Sequence, residues 1–129
     1  MIVDTSAIVA IVEDEAERDR LETTIVAREC RLSAVSYLET SIVLGARRGP
    51  RALTELDDWI ESAGIRIEPF SVAQARIARE AFLRYGKGRH AAGLNFGDCA
   101  AYALAVESDE ELLYVGDDFS ATEVRRPVP

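Results

Sequence analysis

Short apolar runs alternate along this chain with longer stretches in which apolar residues recur every three or four positions. Ile2-Val3 opens it as a brief β-branched strand. Asp4-Thr5-Ser6 then supplies three side chains able to cap a helix that starts in the apolar stretch from Ala7. A second helix is predicted over residues 15–27, with Leu21, Ile25 and Val26 turned inward, and a second strand over Arg31-Leu32-Ser33. Val35, Leu38, Ile42 and Val43 then recur at helical spacing, which predicts an amphipathic helix buried along that stripe. Gly49-Pro50 breaks the chain, and Pro50 suits the first turn of a helix carrying Leu53, Leu56, Trp59 and Ile60. Past Gly64, residues 65–70 read as a third strand, with Ile65 and Ile67 on one face. Ser71 caps a long helix through Ala73, Ile77, Ala78, Ala81, Phe82 and Tyr85. A Gly-containing loop over 86–95 precedes a helix over 96–106, and residues 112–115 form a clear strand closed by Gly116-Asp117-Asp118. Residues 123–125 are read as a short edge strand.

Strands alternating with helices of ten or more residues imply right-handed βαβ crossovers, an α/β fold with a mostly parallel central sheet flanked by helices. The 129 residues fit one domain, spanning residues 1–129, with no repeat or linker inside it. In such sheets ligands sit beyond the carboxyl ends of the strands, which is where the chemistry is to be sought.

Composition narrows the chemistry. The longest apolar run, residues 99–106, is eight residues, far short of the roughly 20 a membrane span needs. No basic stretch precedes it at the N-terminus, which does not read as a secretory signal. Cys30 and Cys99 lie far apart without a CxxC, and the chain has one His. That argues against a Cys/His zinc site and for a reducing, cytoplasmic setting. With 23 acidic residues against 15 basic, the net charge is −8. Such a balance excludes electrostatic coating of nucleic acid but leaves open metal-assisted work on phosphates, which needs clustered carboxylates.

Carboxylates of that kind are present. Asp4 follows the first strand; Asp117, with Asp118 beside it, follows the last. Glu39 falls between Val35 and Ile42 on one side of its helix, and Asp98 precedes Ala101 and Tyr102 on the inward stripe of another. Each has an ordinary reading. Asp4 can cap a helix, Asp98 can close a capping box with Asn95, and Asp117-Asp118 can sit in a turn. An Arg could pair with Glu39. Taken together, a parallel sheet brings Asp4 and Asp117 to one edge, where helices bearing Glu39 and Asp98 can flank them. Like charges meeting in one pocket protonate unless a cation intervenes. Oxygen donors without Cys or His select Mg²⁺ or Mn²⁺.

Five segments in order carry a resemblance: Asp4-Thr5-Ser6-Ala7; Ser33-Ala34-Val35-Ser36-Tyr37-Leu38-Glu39; Arg84-Tyr85-Gly86-Lys87-Gly88-Arg89-His90; Asn95-Phe96-Gly97-Asp98-Cys99; and Gly116-Asp117-Asp118-Phe119. Together they resemble the PIN-domain ribonucleases, and among these the VapC toxins of bacterial toxin–antitoxin pairs. The resemblance implies a PIN-like fold and a Mg²⁺-dependent endoribonuclease (Mn²⁺ as the alternative ion) acting on RNA. It implies inhibition by a VapB-type antitoxin that reaches the acidic pocket with an Arg or Lys, and a homodimer that meets DNA only through the antitoxin. Carried over by motif, Asp4 and Asp98 would be direct metal ligands. Glu39 would complete the cluster directly or through water, and Asp117 would be the fourth acid, with Asp118 able to exchange roles with it. Thr5 or Ser6 would hydrogen-bond the cluster or contact substrate. Val115 departs from the pattern, since many members carry a basic residue there.

The loop residues Arg84, Lys87, Arg89 and His90 have an ordinary reading as a solvated turn. In an acidic chain that handles RNA they would instead form a basic rim, with Lys87, Arg89 and His90 as phosphate contacts. Tyr85 would stack on a base or join the core. Two other functions compete. A phosphorelay receiver needs an acidic pair after the first strand and a Lys near the last strands, whereas Asp4 is followed by Thr5 and the only lysine is Lys87. A catalytically silent PIN-like binding module would have no need of four acids.

Overall fold

The computed structural model describes residues 1–128. The elements follow in the order β1 (Ile2–Val3), α1 (Thr5–Val12), α2 (Arg18–Val26), β2 (Arg31–Ser33), α3 (Ala34–Arg48), α4 (Arg51–Ser62), β3 (Arg66–Glu68), α5 (Val72–Tyr85), α6 (Phe96–Ser108) and β4 (Leu112–Leu113). The four strands form one sheet in the order β3-β2-β1-β4, parallel throughout. Ile2 pairs with Arg31 on one side and Leu112 on the other, so β1 lies inside the sheet.

Because strand side chains alternate between faces, the sheet separates two apolar cores. Val3, Leu32 and Leu113 face a core shared with Ile8, Leu21, Ile25, Leu44, Leu56 and Ile60. Ile2, Leu112 and Tyr114 face the other, built with Ala81, Tyr85, Tyr102, Leu104 and Phe119. A strand buried on both faces reads as continuous apolar sequence, as Ile2-Val3 and Leu112-Leu113 do.

Several expectations are corrected. The apolar stripe of α3 does not face the core: Leu38 and Ile42 are 58% and 62% exposed, and the buried positions are Ser36, Thr40 and Leu44. Small hydroxyl residues face inward because α3 lies close on α1 and is hydrogen-bonded to it. Thr5 Oγ1 donates to the Ser36 carbonyl at 3.2 Å, and Thr40 Oγ1 donates to the same carbonyl at 2.8 Å. Val26 points to solvent from the end of α2, with Leu21 and Ile25 alone reaching the core. That helix starts at Arg18 rather than residue 15, since Asp14 takes a left-handed φ of 57° in the preceding turn. Ile65 is buried, but Ile67 is exposed because β3 is the sheet's edge. Residues 123–125 form no strand; a backbone bond from Leu112 N to the Arg125 carbonyl, 2.8 Å, runs beside β4. Side chains hold this segment instead. Tyr85 OH donates to Glu123 Oε2 at 2.5 Å, Tyr102 OH donates to its other oxygen, and Arg84 stands nearby.

Candidate functional site

The carboxyl ends of β1 and β4 carry the acids that the sequence singled out. Asp4 leaves β1 in extended conformation and is the N-cap of α1. Its Oδ2 accepts from Ser6 N at 2.9 Å and from Ser6 Oγ at 2.7 Å. Ser6 Oγ in turn accepts from Val115 N at 3.0 Å, which ties the chain after β4 to the same carboxylate. The Ser6 proton is therefore committed to Asp4, whereas the Thr5 hydroxyl donates to α3, so of the two it is Ser6 that hydrogen-bonds the cluster. Asp4 Oδ1 is buried and has no hydrogen-bond partner among the described residues. A buried carboxylate oxygen without a donor is costly, and a cation is the group that would satisfy it.

Asp98, in the first turn of α6, closes a capping box. Asn95 accepts from Asp98 N at 2.9 Å, and Asp98 Oδ2 accepts from Asn95 N at 3.0 Å. For both Asp4 and Asp98, the cap reading and the ligand reading hold together. One oxygen is used by a helix end, which freezes the rotamer and leaves the other oxygen to the pocket. Glu39 projects from α3 so that its carboxylate lies against Gly97. In the turn after β4 the charge of Asp118 reaches Asp98. Asp117 instead shapes the turn, its carbonyl accepting from Ser120 N and Ser120 Oγ. Phe119 anchors the turn, fully buried and edge-on to Tyr114 at 5.0 Å.

The electrostatics register this crowding. Burial, opposed by the Ser6 hydrogen bonds and reinforced by the charge of Glu39, raises Asp4 from 3.8 to about 6. Burial also raises Asp98 from 3.8 to about 7; its bond from Asn95 lowers it, and the charges of Asp4, Asp118 and Glu39 add to the rise. Neighbouring Cys99 is pushed up to about 11, chiefly by burial, so it offers no thiolate. Among the described residues no three acidic, His or Cys side chains close around one point tightly enough to hold an ion alone. The donor set fits a hard divalent ion held by Asp4 and Asp98 with water completing its shell.

The basic loop stands as a separate feature. Backbone bonds between Lys87 and Leu94 and between Leu94 and Tyr85 pin its base, with Lys87, Arg89 and His90 exposed. His90 Nδ1 accepts from Ala92 N at 3.0 Å, and its ring meets Tyr85 edge-on at 5.1 Å. Tyr85 itself is buried with its hydroxyl on Glu123, so it belongs to the core and not to a stacking surface. Sequence reasoning missed Ser36 and Thr40, the hydroxyls under Thr5, and Gly97 under Glu39. The run Ser33, Ser36, Thr40, spaced by three and four, was the signal for the first two.

Set beside known proteins, residues 1–124 match the PIN domain family. The chain belongs to the PIN-domain family. This PIN domain is similar to ribonuclease VapC28 of Mycobacterium tuberculosis, 48% identical over 128 residues that cover 98% of this chain and 96% of the relative. It is 46% identical to ribonuclease VapC30 of the same organism over 125 residues, 96% and 95% of the two chains. These relatives place the PIN domain within the VapC ribonuclease toxin family. Among solved structures, M. tuberculosis VapC20, described as a sarcin-ricin loop cleaving toxin, superposes with a TM-score of 0.80 at 21% identity, covering 99% of this chain and 98% of that one. A toxin–antitoxin complex from Klebsiella pneumoniae gives a TM-score of 0.67 at 16% identity, over 95% and 92% of the chains. Both have the fold of this PIN domain.

Proposed function

We propose that the protein is a metal-dependent endoribonuclease, the toxin of a toxin–antitoxin pair, hydrolysing RNA phosphodiester bonds in the pocket of Asp4, Glu39, Asp98 and Asp118. The observation that carries this reading is the buried, unpartnered Asp4 Oδ1 in a pocket whose charges act on one another, in a chain of VapC kinship. Asp4 and Asp98 would hold Mg²⁺, or Mn²⁺ in its place, with Glu39 and Asp118 completing the acidic set around it. Asp118 takes the fourth place in preference to Asp117 because its charge acts on Asp98. When bound, such an ion polarises a phosphoryl oxygen and lowers the pKa of bound water.

The protein supplies position and proton control. Ser6 fixes Asp4 through two bonds, Asn95 fixes Asp98, and the two caps hold both carboxylates before any ion arrives. Lys87, Arg89 and His90 receive the RNA backbone, a local basic rim on an acidic molecule. A VapB-type antitoxin silences the site by presenting a cationic side chain to the acids, and DNA is met only through that antitoxin. No helix among the described residues is long and apolar enough to cross a membrane; with two free cysteines, we place the protein in the cytoplasm.

The test is RNA cleavage by purified, antitoxin-free protein with Mg²⁺, with Mn²⁺ and with EDTA, beside Asp98→Asn checked for folding. The expected result is cleavage that EDTA stops and Asp98→Asn lacks. Equal activity in both proteins would assign the cleavage to a contaminant and overturn the site.

A further inference from the structure

Gly97 is the second residue of α6 and has ordinary helical φ. Nothing in its own backbone conformation calls for glycine, and glycine near a helix start is a poorer helix former than alanine. The reason for it lies across the interface with α3. A Cβ built on Gly97 would stand 2.0 Å from Glu39 Oε2, 2.4 Å from Cδ and 2.5 Å from Oε1. The whole Glu39 carboxylate therefore occupies the volume that any other residue at 97 would fill. Asp98, whose charge environment includes Glu39, is the next residue along. The missing side chain lets α3 bring a third carboxylate up to the pair Asp4 and Asp98.

We propose that Gly97 is a positioning residue of the acidic pocket: its bare Cα is the seat on which the Glu39 carboxylate rests, and a side chain there expels Glu39 from the metal site. The inference rests on the metal-site reading above and deepens it. The obstructed atoms are the far end of a flexible side chain, so Glu39 can swing toward solvent when the seat is filled. Gly97→Ala should then fold normally and lose the carboxylate's place, not the helix. A purely structural glycine predicts the reverse, with lost stability and intact metal binding.

The experiment is a double-mutant cycle. Mn²⁺ affinity is measured by titration calorimetry, and thermal midpoints in EDTA, for wild type, Gly97→Ala, Glu39→Ala and the double variant. Gly97→Ala should leave the midpoint equal or higher and weaken Mn²⁺ by about 10- to 100-fold, the range for displacing an outer ligand. In the Glu39→Ala background the same change should have no further effect on Mn²⁺. RNA cleavage should follow the Mn²⁺ affinities. Unchanged Mn²⁺ binding in Gly97→Ala, or an equal loss in both backgrounds, overturns the inference and leaves the site standing. A wild type that binds no Mn²⁺ overturns the metal-site reading itself, and the inference with it.

Discussion

Asp4 and Asp98 are each held by the start of a helix and each titrate well above an ordinary carboxylic acid. The sign of the consequence follows from linkage. A carboxyl whose folded pKa exceeds its unfolded one favours the folded state most at pH below the unfolded value, and loses that contribution as pH rises through the folded value. Without metal, Asp4→Asn and wild type should be nearly equal in stability near pH 4. The variant should gain with rising pH until about pH 6, ending more stable by about 2 kcal/mol, a discounted conversion of the shift. For Asp98→Asn the gain continues to about pH 7. Urea unfolding in EDTA across pH 4–8 measures this, and saturating Mg²⁺ should remove the variants' advantage. The caps at these two acids were legible in the sequence because Asp and Asn beside an apolar helical stretch are cap-forming residues. Which of Asp117 and Asp118 turns its charge toward Asp98 was not, since adjacent residues in a turn differ only in which way the backbone aims them.

At the scale of elements, α3 shows how a periodic pattern can be read correctly and assigned to the wrong side. The period identified the helix, but Leu38 and Ile42 are exposed while Ser36 and Thr40 are buried. Thr40 is buried there because its hydroxyl finds the Ser36 carbonyl one turn back, which period alone does not disclose. If the homodimer that the resemblance implies forms, this outward stripe offers it an apolar contact. Leu38→Glu with Ile42→Glu should convert a dimer to a monomer in sedimentation, with little change in the unfolding midpoint at low protein concentration, because neither residue contributes to the core. The segment after β4 forms no strand, since one backbone bond joins it to Leu112 and side chains supply the rest of its hold. Glu123 accepts from Tyr85 and Tyr102, and these bonds with nearby Arg84 pull it below the usual carboxylate range despite some desolvation. It thus adds stability above the unfolded pKa that is lost as pH falls. Glu123→Ala should cost about 1 to 2 kcal/mol near pH 7, moderated because the carboxylate is half exposed. The loss should shrink below pH 4, and hydrogen exchange should rise at Leu112.

For the molecule as a whole, the parallel sheet explains why residues remote in sequence meet. Ile2 and Val3 pair with Leu112 and Leu113, and Ser6 bonds Val115. Loop closure over most of the chain must therefore come before the pocket exists, and contacts of such long range form slowly. Until that closure, the Ser6 hydroxyl that holds Asp4 lacks the bond from Val115. Asp118 gains a fixed place beside the other acids only when β4 pairs with β1, so the set is completed by that pairing. A protease or chaperone that holds β4 away from β1 would disarm the protein as fully as an inhibitor in the pocket.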